Sequence, residues 1–110
     1  MAKNYKIIAQ ASPAATTDTT LYTVPSATQV AISSVTICNR GSSGETYRIA
    51  MRPNGETLAD KHYIAYGAAV PANDTIALTL GLTADAADVI TVYASSASVS
   101  FGVFGSEITS

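Results

Sequence analysis

The sequence is short of charge: Asp, Glu, Lys and Arg make up 13% of its 110 residues, about half the ~25% of an ordinary globular protein. It has no tryptophan, one histidine and one cysteine. Each shortage excludes something. The basic residues are scattered (Lys3, Lys6, Arg40, Arg48, Arg52 and Lys61) and the net charge is −2. Clustered cations that would release counter-ions from a phosphate backbone are therefore missing, and nucleic acid is not an expected partner. A lone Cys38 permits no intrachain disulfide and no cysteine-rich metal site. A lone His62 permits no histidine pair for a metal or a proton relay. No apolar run approaches the ~20 residues of a membrane span. The early run Ile7-Ile8-Ala9 stops at Gln10 and meets Ser12-Pro13, so neither a signal peptide nor a membrane partner is expected. The chain is expected to stay in the cytoplasm where it is made, or to leave inside an assembly.

What fills the space is serine, threonine, alanine and a normal apolar share of 47%. That balance is the opposite of a disordered chain's. A surface of this kind can lie against another protein with little charge to desolvate.

Alternation of period two dominates the pattern. Thr75-Ile76-Ala77-Leu78-Thr79-Leu80 places large apolar residues on one face, and residues 46–52 place Tyr47, Ile49 and Met51 inward with Arg48 and Arg52 outward. Val99, Phe101 and Val103 alternate with Ser98, Ser100 and Gly102. Segments 5–10, 21–24, 30–38, 62–66 and 89–94 are also rich in Val, Ile, Thr and Tyr, which makes about eight short strands. In segment 30–38 the phase changes at Ser33-Ser34, predicting either a bulge or a strand covered on both faces. Turn signals separate the strands: residues 40–44 as a hairpin loop, Pro53-Asn54-Gly55 as a tight turn, Pro71-Ala72-Asn73-Asp74, residues 84–88, and Ser95-Ser96-Ala97. A brief helical turn is expected near residues 83–87. The expected fold is an all-β antiparallel sandwich, jelly-roll-like or Ig-like. Residues 1–20 are expected to form an N-terminal arm with one short strand, its stretch 11–20 extended and mobile, and residues 21–110 the sandwich domain.

Chemistry is hard to find. Asp60 and His62 would share a strand face, but no third ligand accompanies them, and the simpler reading is a surface histidine at a strand start. No Gly-x-Ser-x-Gly context surrounds any serine. Asp85 and Asp88 lack the dense oxygen spacing of a calcium loop, and Gly41-Ser42-Ser43-Gly44 lacks the lysine and following helix of a phosphate loop. Cys38 lies in the apolar segment Val35-Thr36-Ile37-Cys38, where a buried structural thiol is expected, an interchain disulfide being the sharper alternative. Tyr5, Tyr22, Tyr47, Tyr63, Tyr66 and Tyr93 could line a sugar-binding face, although tyrosines of β-proteins more often occupy core rims and interfaces. The expectation is no catalytic, cofactor-binding or metal residues, and no enzyme.

A set of segments in fixed order then points to a family. Leu21-Tyr22-Thr23-Val24-Pro25, residues 35–40, Asn73-Asp74-Thr75, residues 88–94 and residues 99–105 resemble small virion structural proteins of tailed bacteriophages, and homologous modules of phage tail and baseplate proteins. The resemblance runs from about Leu21 to Ile108 and rests on strand and turn signatures. It implies a β-sandwich on or in a phage particle, made in the host cytoplasm and located in the virion. Within that setting the leading expectation is a capsid decoration (cement) protein. Its expected partners are copies of itself, as a homo-oligomer and specifically a trimer, and the major capsid protein. The alternative is a tail fibre, baseplate or receptor-facing module bound to tail proteins, in which Tyr63, Tyr66 or residues 40–44 touch host glycan. A free carbohydrate-binding module is the third expectation.

Overall fold

The computed structural model describes residues 2–109. They form nine strands: β1 (Ala2–Ala11), β2 (Thr19–Thr23), β3 (Thr28–Asn39), β4 (Glu45–Arg52), β5 (Tyr63–Val70), β6 (Asp74–Leu78), β7 (Leu82–Ala84), β8 (Val89–Ala94) and β9 (Val99–Thr109). Two short 3-10 turns, Pro53–Gly55 and Asp60–His62, join β4 to β5. One sheet, A, runs β1-β9-β3-β6, with β7 beside β6 on the same edge of β3; the other, B, runs β2-β8-β4-β5. All pairings are antiparallel.

The pairings work from the middle of the chain outward. Strand β4 pairs with β5, β3 with β6 and β7, β2 with β8 and β1 with β9. This is one long double ribbon rolled up, and the lateral pairs β3–β9 and β4–β8 close the roll. The topology is a jelly roll, not an Ig-like sandwich, because the pairs nest one outside the other around the central β4–β5 ribbon. The residues 40–44 expected to close a hairpin instead cross from β3 in sheet A to β4 in sheet B.

The core lies between the sheets. Ile37, Val35, Val99, Phe101 and Val103 of sheet A meet Tyr47, Ile49, Ile90 and Val92 of sheet B, all nearly or fully buried. Tyr47 and Phe101 pack edge to face with ring centroids 6.3 Å apart. The phase change at Ser33-Ser34 is a bulge: the β3–β9 register shifts between Ile32 and Ser34. The extra residue lets Val30 and Ile32, before it, and Val35 and Ile37, after it, all face the core.

Strand β7, which overlaps the start of the helical turn expected at residues 83–87, extends the edge begun by β6 after the break at residues 79–81. The first strand is longer than expected, ten residues paired along β9 with a bulge between Ile7 and Ala9. The segment after it runs along the sandwich: Pro13 is buried, and the Thr16 amide donates to the Ala94 carbonyl at 2.8 Å.

Strand lengths shape the surface. In sheet A, β1, β9 and β3 have 10, 11 and 12 residues, whereas β2 and β8 of sheet B have 5 and 6. At roughly 3.3 Å per residue, the short strands cover about half the length of the long ones. Strand β2 holds the edge of sheet B that corresponds to β1. Ile8, Ala9 and Ala11 pack on the core, but residues 2–7 are exposed. The molecule is accordingly long, 45 × 28 × 20 Å.

Candidate functional site

Two surfaces stand out, one on each sheet. The first is the β1 corner of sheet A. Its outer edge has no strand beside it among the described residues. Tyr5 and Ile7 share the outward face and are 78% and 55% exposed. Ile7 lies opposite Phe104 on β9. The Phe104 ring folds over Gly102, where an added Cβ would sit 2.9 Å from its edge. Tyr5 borders an open, largely apolar depression of about 220 Å³ with Ala31, Ile32 and Gly105. A Gly105 side chain would run into the Ala31 carbonyl. The inner side of the corner is tied down by polar contacts. The Tyr22 hydroxyl of sheet B donates to Glu107 Oε2 at 2.7 Å, and Lys6 Nζ lies 3.4 Å from Glu107 Oε1. Burial, with the hydrogen bond to Glu107 adding to it, pushes Tyr22 up to about 12. The same bond, helped by Lys6, holds the Glu107 carboxyl below its usual range.

The second surface is the outer face of sheet B at its β5 edge. The β4–β5 register shifts between Tyr47 and Arg48, where Gly67 takes a positive φ of 68°. That bulge places Tyr66 opposite Arg48 on the outside. The Arg48 guanidinium lies 4.3 Å from the Tyr66 ring centroid and 4.2 Å from that of Tyr93, so it is stacked between two tyrosines. Tyr63 meets Tyr66 edge to face at 4.8 Å. Asp60, Tyr63 and Tyr66 line an open cleft of about 320 Å³.

The six tyrosines thus divide: Tyr47 is core, Tyr22 bridges the sheets, Tyr5 belongs to the first surface, and Tyr63, Tyr66 and Tyr93 to the second.

The remaining candidates have structural occupations. His62 is not a surface residue. It is 5% exposed, its Nδ1 accepts the Ala59 amide at 3.0 Å, and its Nε2 donates toward Glu56 Oε1 at 3.2 Å. A ring nitrogen that accepts a backbone N–H carries no proton, so the tautomer is set by the turn itself. The His62 hydrogen bond, then Lys61, holds the Glu56 carboxyl below its usual range. Asp60 does not converge with His62 on a ligand, and among the described residues no three His, Cys, Asp or Glu side chains form a metal-sized cluster. Asp88 accepts the Asn54 and Asp85 amides, each at 2.8 Å, and Asp85 accepts the Ala86 amide. Cys38 is half-buried, not a core thiol, because Val35 and Ile37 take the inward positions and turn Thr36 and Cys38 outward. Gly41-Ser42-Ser43-Gly44 is organised around Asn39, which sequence reasoning passed over. Asn39 is 1% exposed; its Nδ2 donates to the carbonyls of Ser43 and Val70, and its Oδ1 accepts from the Gly41 amide and the Ser98 hydroxyl. The only hint in the sequence was an amide at the end of an apolar strand.

No family model matches the chain, and no curated protein is significantly similar to it. Among the described residues no helix is long and apolar enough to cross a membrane.

Proposed function

We propose that the protein is a structural component of a tailed-phage virion, a capsid decoration protein that packs as a homo-oligomer, a trimer, on the major capsid protein. The observation that carries this reading is the β1 corner: an open strand edge on which Tyr5 and Ile7 are exposed, with Lys3 lying 5.2 Å from the Tyr5 ring centroid. Such an edge offers unpaired backbone groups for strand addition, and the aromatic and aliphatic side chains beside it supply the apolar contact. Jelly rolls occur in viral capsid and lectin domains alike, so the topology is compatible with the reading and the surface is what favours it. The mechanism is passive. Interface area buried between neighbours adds to the work of separating capsomers, and no bond is made or broken by the chain.

Particles lacking the protein are expected to assemble but to lose their genome on heating or chelation at conditions that leave complete particles intact. Deletion particles as robust as complete ones would remove the proposal. The tail reading draws on the exposed Tyr63–Tyr66 cleft. Stoichiometry from mass spectrometry of purified particles separates the two: hundreds of copies for a shell protein, a few dozen at most for a tail part.

A further inference from the structure

We propose that the cleft between Asp60, Tyr63 and Tyr66 binds a neutral saccharide, wherever in a particle the protein sits. Three observations converge on it. Tyr66 is 63% exposed yet packed on by two neighbours: Arg48 lies over its ring at 4.3 Å, and Tyr63 abuts it at 4.8 Å with the rings 81° apart. An aromatic ring open to solvent is what the C–H face of a pyranose stacks on, and neighbours packed against the ring reduce the side-chain entropy that binding costs. The Asp60 carboxylate borders the same cleft and has no hydrogen bond or ion pair among the described residues; its neighbour Lys61 is engaged with Glu56. A free carboxylate is a pure acceptor, suited to two adjacent hydroxyl groups. The cleft volume of about 320 Å³ lies at the small end of ligand sites, roughly 300–1,000 Å³, and suits a mono- or disaccharide.

The charges choose between ligand classes. Two tyrosines and a carboxylate would also suit an alkylammonium group, but the Arg48 guanidinium already occupies one face of Tyr66 and would repel a second cation. An anionic sugar in the cleft would face the Asp60 carboxylate, which lines it, whereas Arg48 does not line it. An uncharged ring escapes both penalties. Binding by one open cleft is weak, and many copies displayed together would raise it by avidity.

The test is a titration of isotope-labelled protein followed by amide NMR, using glucose, galactose, maltose and chitobiose as neutral probes, sialyllactose as the acidic probe and tetramethylammonium as the cation. The expected result is that at least one neutral sugar shifts resonances of residues 60–66 and Arg48. Tyr66→Ala should weaken that binding about tenfold or more, while Tyr5→Ala leaves it unchanged. Asp60→Asn, at an exposed turn position, should weaken it several-fold and does not depend on how the Tyr66 variant folds. No shifts with any neutral sugar, tighter binding of sialyllactose or tetramethylammonium, or Tyr66→Ala binding like the parent would each overturn the assignment. Thermal robustness of particles is a separate readout, so this site can fail while the decoration reading stands, and the reverse.

Discussion

Strands β3 and β1 lie in the same sheet with only β9 between them, yet they live in different surroundings. Strand β3 is paired on both edges, and Val30, Ile32, Val35, Ile37 and Asn39 are buried along it. Strand β1 is paired on one edge and exposes residues 2–7 in succession. Composition does not account for this, since β1 carries Tyr5, Ile7 and Ile8. Cover does: the opposing sheet ends at the short β2, and only the last part of β1 has anything above it. Hydrophobic residues in a strand are thus of two kinds, those packed in the core and those on a face that no other sheet covers.

The contrast can be broken most sharply by truncating one side chain in each region. Phe101→Ala, in the covered part of sheet A, should lower stability by about 3–5 kcal/mol in urea denaturation. Tyr5→Lys with Ile7→Lys should change it by no more than about 0.5–1 kcal/mol, yet abolish retention on particles. A double variant that unfolds the chain would show that the corner belongs to the core. Next in size is Asn39→Ala, which takes a side-chain partner from two carbonyls and an amide at the end of β3 and leaves the Ser98 hydroxyl only Ser96. The expected loss is about 2–4 kcal/mol, more than for any exposed polar residue.

Smaller, and confined to the inner side of the corner, is a pH effect. Glu107 is held below its ordinary value, so its contribution is fully present above about pH 4.5 and disappears as pH falls through its lower folded value. Tyr22 is raised to about 12, so its contribution is complete below its ordinary value of 10 and disappears as pH rises through 12. Tyr22→Phe should flatten the stability profile at both ends. A profile identical to the parent's would mean that the bridge between the sheets is not made in solution.

Much of the fold was legible. Alternation at residues 46–52 and 99–103 assigned the core faces, and the phase slip at Ser33-Ser34 offered a bulge or two-sided cover, of which the bulge is what keeps β3 facing inward. The site was legible only as residue types. Tyr63, Tyr66 and Tyr93 were named among six tyrosines, and Tyr63 with Tyr66 as glycan-facing under the tail reading, but Arg48 joins them through register alone. His62 was misplaced because a turn of three residues buries it against Glu56, and alternation carries no information about turns. Strand β7 was missed because its three residues become a strand only by pairing with β3.

Sequence alone determined that the chain is an all-β sandwich, because side chains at every second position can be buried only by stacking sheets. Tertiary structure alone decided which strands are neighbours, which faces are covered and which tyrosines share a cleft. Those outcomes depend on contacts such as Lys6 with Glu107, 101 residues apart. A local period of two says on which face a side chain points, and nothing about whether another sheet reaches far enough to cover it.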